Sequence, residues 1–210
     1  MPIALTDKNL LRKQVYIDGQ WSGADSGETF PVYNPANGTL IADVAKCAGV
    51  ETARAINAAE KAQETWKRTT SKERFTYLMR WHDLMLEHLE DLARLLTLEQ
   101  GKPLSEARGE IQYGANYIRW FAEEAKRIYG DTIPNPSSDQ RIVIIKQPIG
   151  VVACITPWNF PQAMLARKIA PALAAGNTVV CKPANETPLS ALAMAELPER
   201  AGIPAGVINM

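Results

Sequence analysis

Between residues 151 and 210 the chain alternates short apolar runs with helical stretches, and this alternation limits its fold more than any other feature. "VVACI" is followed by "QAMLARKIAPALAA", then "TVVCK", "TPLSALAMAEL" and "GVINM". Read as strand, helix, strand, helix, strand, the order has one economical solution: buried parallel strands joined by right-handed helical crossovers. Gly176 is placed to end the first helix as a C′ glycine. Pro171 and Pro198 are expected to kink or stop their helices locally. The expected class is α/β.

Upstream, "QVYIDGQWSG" reads as a hairpin, with Asp18-Gly19 supplying the positive-φ pair of a tight type I′ turn. "FPVYNPANGTLIADVA" reads as a second hairpin, turning at Pro35 to Gly38. From Glu51 the period becomes helical, with Ala55, Ala59, Ala62 and Trp66 on one face and Ala53 and Ile56 widening it. A second helix is expected from Ser71 as N-cap, with Leu78, Trp81, Leu84 and Met85 inward. Leu89 to Gln100 continues it or starts anew, ended by Gly101 and Pro103. A third spans about 104–129, with Ile111, Tyr117, Ile118 and Phe121 inward. "GDTIPNPSSDQ" is a loop, and "RIVIIKQPIG" a strand. These stripes read as core packing.

The formal net charge is zero, which gives no footprint for nucleic acid or an acidic membrane surface. No apolar run reaches the ~20 residues of a membrane span, and the start lacks the order of a signal peptide. Three cysteines, none in a Cys-x-x-Cys pair, argue for a reducing compartment without a disulfide or zinc framework. The cytoplasm is the expected location and no metal is expected.

In an open α/β sheet, ligands sit beyond the carboxyl ends of the strands. "TPWNFP" and "KPANETP" leave those ends here, so they should be neighbours in space. Lys182 can donate to ribose hydroxyls or phosphates. Asn159 can donate an amide N–H to an oxygen that becomes negative, and Pro157 and Pro161 restrict its loop, as a pre-aimed donor requires. The residues alone leave Asn159 open to a loop-capping role and Lys182 to a solvated strand end. No Gly-x-Gly-x-x-Gly follows the first strand.

"ITPWNFP", "KIAPALAAGNTVVCKPANETP" and "AGIPAGVINM", with "LEQGKPLSEARGEI" and "YGDTIP", together resemble the aldehyde dehydrogenase superfamily. The resemblance covers nearly the whole chain, and in detail it is nearest to the succinate-semialdehyde branch. It implies an incomplete Rossmann-like parallel sheet with flanking helices, N-terminal β-hairpins and an oligomerisation β-flap. By the same resemblance, residues 1–130 and 150–210 form an NAD(P)-binding domain without its catalytic domain, and 131–149 form the flap. A cysteine thiolate attacks the aldehyde, a hydride leaves for NADP or NAD, and a glutamate helps water hydrolyse the thioester.

The resemblance assigns Asn159 to the oxyanion. Ile155, Thr156, Pro157, Trp158, Lys182, Ala184 and Asn185 fall on cofactor-binding positions. Many relatives carry Glu where Asn185 stands; a neutral amide would not repel a 2′-phosphate, so NADP is expected to be accepted. Arg167 matches the arginine that takes the far carboxylate of succinate semialdehyde, a task suited to a guanidinium fork. A solvated helix arginine is the plain alternative.

The family's nucleophile and general base lie downstream of these residues. Cys47, Cys154 and Cys181 read as structural, and His82 and His88 as surface residues. The chain is therefore expected to be an amino-terminal portion of an enzyme, inactive alone. A non-catalytic nucleotide-binding relic and a dehydrogenase of another ω-oxo acid, such as glutarate semialdehyde, are the alternatives. A homo-oligomer is implied for the full-length protein. A parallel sheet ending at Met210 should expose a strand edge and an apolar face.

Overall fold

The computed structural model describes residues 5–210. Its order is β1 (Val15–Ile17), β2 (Gln20–Ser22), β3 (Thr29–Tyr33), β4 (Leu40–Ala45), α1 (Gly49–Trp66), α2 (Ser71–Glu87), α3 (Leu89–Gln100), α4 (Leu104–Glu124), β5 (Asp131–Ile133), β6 (Ile142–Ile144), β7 (Val151–Ile155), α5 (Pro161–Ala174), β8 (Thr178–Lys182), α6 (Pro188–Arg200) and β9 (Ile208–Asn209). Among the described residues no helix is long and apolar enough to cross a membrane.

Strands β7, β8 and β9 form a parallel sheet in that order. The crossover helices α5 and α6 join them, as the alternation requires. Gly176 ends α5 at φ +83°, and a Cβ there would lie 2.9 Å from Pro148 Cγ. Both prolines are tolerated: α5 continues past Pro171 to Ala174, and α6 past Pro198 to Arg200. Each forgoes its own N–H bond to the carbonyl four residues back, and each helix runs only two or three residues further.

Side-chain hydrogen bonds set where the strands begin. Asn177 Oδ1 accepts from Ile149 N at 2.7 Å and Gly150 N at 3.0 Å, which fixes the entry to β7. Gln63 of α1 donates to Gly176 O and accepts from Thr178 N, both at 2.9 Å, which fixes the entry to β8. Both side chains thus supply acceptors to backbone N–H groups at the strand entries.

The first hairpin turns on Asp18 (φ 51°) and Gly19 (φ 77°), as the type I′ reading requires. It also closes the sheet. Tyr16 and Met210 exchange backbone hydrogen bonds at 2.8 Å in both directions, and Met210 is buried. The exposed edge expected at Met210 is therefore covered. On the opposite side the edge strand is β7, where only Cys154 is fully buried and Ile155 is exposed. Of the two strands expected to be buried, β8 is so except at half-buried Val180 and exposed Lys182, and β7 is not.

The helices stack α4 on α5 and α2 around a core containing Trp66, Trp81, Leu78, Met85, Leu92, Ile111, Ile118 and Ile169. Each large apolar side chain buried there contributes ~1.5–3 kcal/mol. Small residues permit the close approach: Gly114 of α4 faces Ala163 and Ala166 of α5.

Several helical details differ from expectation. Ala53 and Ile56 are exposed, because α1 buries a narrow stripe of Ala55, Ala58, Ala59, Gln63 and Trp66. Thr70, not Ser71, is the N-cap of α2, accepting from Glu73 N. The chain breaks at His88, so α3 starts anew. Helix α4 stops at Glu124 and a 3₁₀ turn covers Ala125–Arg127, while Tyr117 and Phe121 are only half-buried. His82 is buried, with Nδ1 2.9 Å from Asp83 Oδ1.

Strands β5 and β6 pair as a separate antiparallel ribbon, exposed along its length. Ile133, Ile142, Val143, Ile144, Ile145 and Ile149 are all exposed there, an apolar display of the kind that marks contact surfaces.

Candidate functional site

Ile155 is paired with Lys182 across the two parallel strands, and Thr156 N donates to Lys182 O at 3.3 Å. Both following loops leave the same end of the sheet. In the first, Ile155, Pro157, Trp158 and Asn159 are exposed. Thr156 is buried, and its Oγ1 has no hydrogen-bond partner among the described residues. In the second, Lys182 Nζ donates to Asn185 Oδ1 at 3.0 Å, which joins the ammonium and the amide into one polar unit. Lys182, Ala184 and Asn185 line a cavity of about 480 Å³ together with the start of α1, including Glu51 and Thr52. Residues 155–159 lie outside that cavity. The two loops thus flank the sheet end without sharing one hollow.

Arg167 is exposed on α5. The hydrogen bond shared with the Tyr113 hydroxyl, at 2.6 Å, and then the Arg167 guanidinium hold the Tyr117 hydroxyl below the usual phenol range. Tyr113, Asn116, Tyr117, Trp120 and Phe121 line an open hollow of about 280 Å³ on that side of α4. Cys154 and Cys181 are buried side by side in the sheet, and Cys47 is exposed.

Two helix-capping carboxylates were not legible in the sequence. Helices α5 and α6 both begin with proline, and neither has a side-chain cap of its own. Their first free N–H groups are instead taken by glutamates from other helices. Glu110 Oε1 accepts from Gln162 N at 3.0 Å and Ala163 N at 3.2 Å. Glu99 accepts from Leu189 N and Ser190 N, both at 2.7 Å. A carboxylate also suits the positive end of the helix dipole. The available signal was their register: Glu99 and Glu110 fall within the buried stripes of α3 and α4.

Burial pushes the Glu99 carboxyl up to about 7, outweighing the hydrogen bonds from Ser190 and Leu189. An unfolded glutamate ionises near ~4.3. The folded state therefore holds this proton more tightly, and the stability so gained is full below the unfolded pKa and lost as pH rises through the folded one. Denaturant unfolding of the protein and its Glu99→Gln variant across pH should show wild type losing on the order of 3 kcal/mol relative to the variant between about pH 4 and 8. A flat or opposite difference would refute the elevated carboxyl.

Comparison with known proteins places this geometry. The aldehyde dehydrogenase family matches residues 21–210. A glutarate-semialdehyde dehydrogenase of Pseudomonas aeruginosa is 61% identical over 206 residues, which cover 98% of this chain and 43% of that protein. A succinate-semialdehyde dehydrogenase [NADP(+)] of Escherichia coli is 60% identical over the same 98% and 43%. A crystal structure of an E. coli NADP-dependent enzyme superposes with a TM-score of 0.97 at 60% identity, covering 98% of this chain and 43% of that one. The chain spans less than half the length of these relatives.

Proposed function

The chain belongs to the aldehyde dehydrogenase family, and on that premise we propose that the whole protein oxidises an ω-oxo acid, succinate semialdehyde first, with NADP or NAD. The observation that carries the substrate is Arg167, an exposed guanidinium braced by Tyr117 beside an aromatic hollow. A guanidinium there pairs with the far carboxylate and orients the aldehyde toward Asn159. The five-carbon glutarate semialdehyde is the second reading, favoured by the Pseudomonas aeruginosa relative.

The residues present fit a dinucleotide. Lys182 and Asn185 would hold the adenosine ribose. The orphaned Thr156 hydroxyl and the exposed faces of Ile155, Pro157 and Trp158 would line its path, with Ala184 at the second loop. The bound nucleotide would supply the hydride acceptor. The chain's own part is to orient the substrate and to donate the Asn159 amide N–H to the oxygen that becomes negative when a downstream thiolate attacks. Residues 5–130 and 150–210 would serve as the cofactor domain. The 131–149 ribbon, with its exposed isoleucines, would join copies into an oligomer.

Steady-state assay of the full-length protein tests the reading. With saturating cofactor, kcat/KM for succinate semialdehyde should exceed that for butanal by at least ~30-fold, the worth of a modest ion pair. Glutarate semialdehyde should fall between them, and NADP should match or exceed NAD. Equal rates on charged and uncharged aldehydes would remove the ω-oxo acid. A strong NAD preference would remove the role given to Asn185.

A further inference from the structure

Lys102 occupies the short connection between α3 and α4, after Gly101 (φ +89°) and before Pro103. Its side chain is only 9% exposed, and that of its partner Glu110 is 1% exposed. Nζ lies 2.5 Å from Glu110 Oε2, 3.1 Å from Asn159 O and 4.3 Å from the centroid of the Phe160 ring. The other Glu110 oxygen takes the N–H groups of Gln162 and Ala163. One buried ion pair therefore grips the segment 159–163 from both sides, by a carbonyl before the helix and by two N–H groups inside it.

A buried ion pair of this kind is weak evidence for stability, since an apolar pair of similar volume often serves as well. What an apolar pair lacks is a donor for the Asn159 carbonyl. The Asn159 amide itself makes no hydrogen bond to any described residue, so its aim depends on the backbone that carries it. We propose that Lys102 is a positioning residue for Asn159: with Glu110 it fixes the Asn159 backbone so that the amide N–H is aimed before the substrate arrives. This rests on the reading of Asn159 as the oxyanion donor.

The test is made in the full-length protein. Removing Lys102 alone would strand a buried carboxylate, so the principal variant is Lys102→Met/Glu110→Gln, which removes both charges and keeps an acceptor for α5. Its kcat should fall roughly 30-fold, as a misplaced catalytic group does, with KM for the cofactor within about threefold of wild type. Amide exchange by mass spectrometry should quicken at residues 156–163, with the rest of the chain unaltered. Introduced into Asn159→Ala, the pair substitution should cost little beyond Asn159→Ala alone, because Lys102 and Glu110 then have no donor left to aim.

Should the pair not accumulate, Lys102→Arg keeps the charge but moves the donors, and its kcat should drop about tenfold. Wild-type kcat in the folded pair variant or in Lys102→Arg, or fully multiplying losses with Asn159→Ala, would overturn the positioning role alone. An Asn159→Ala variant with wild-type kcat would overturn the underlying reading, and the positioning role with it.

Discussion

Arg167→Ala in the full-length protein is expected to lower kcat/KM for succinate semialdehyde by ~30- to 1,000-fold, the range for truncating one partner of a close charge pair. An uncharged aldehyde of the same length should change less than about threefold, because it makes no use of the guanidinium. The split between the two substrates is the informative quantity. Arg167 is exposed and braced through the Tyr117 hydroxyl, so its removal strands no buried charge and the fold should persist. Arg167→Lys keeps the charge but loses the two-pronged geometry, and should recover only part of the loss. Equal losses on both substrates would reassign Arg167 to the scaffold.

Asn159→Ala should lower kcat by ~10²- to 10³-fold, the usual cost of one missing oxyanion donor. Its thermal midpoint should stay at the wild-type value, for a reason visible in the fold. The Asn159 side chain is exposed and hydrogen-bonds no described residue, and Lys102 reaches this residue through the backbone carbonyl, which alanine retains. Substitutions away from packed or bonded groups usually shift stability by less than ~0.5 kcal/mol. A stable variant with full kcat would remove Asn159 from the chemistry. A destabilised one would make it a structural loop residue.

What the sequence disclosed and what it withheld follow from the range of the forces involved. The hairpin at Asp18-Gly19 and the crossover order from Val151 to Asn209 rest on local preferences, and they were legible. Ile56 misled because an apolar residue near a helical face need not touch anything, and α1 has only a narrow partner in the sheet. His82 misled in the other direction: charged neighbours in sequence say little about which way one side chain turns. Glu99, Glu110 and Lys102 act on backbone groups far along the chain, and no local pattern announces such a pairing. The loops carrying Asn159 and Lys182 were located through topology, but the device that holds the first of them became visible only with the helices in place.

The pairing of Tyr16 with Met210 sets a sequence of events for the growing polypeptide. Its opening hairpin must wait, through synthesis of nearly everything else described, for a partner made last. Contacts this distant along the chain slow folding, since the intervening loop has to be closed before they reward it. On the opposite flank, Val151–Ile155 has no neighbouring strand among the described residues. Left unpaired, that flank is an open template for the wrong neighbour, and it makes a partly made protein prone to sticking to its own kind.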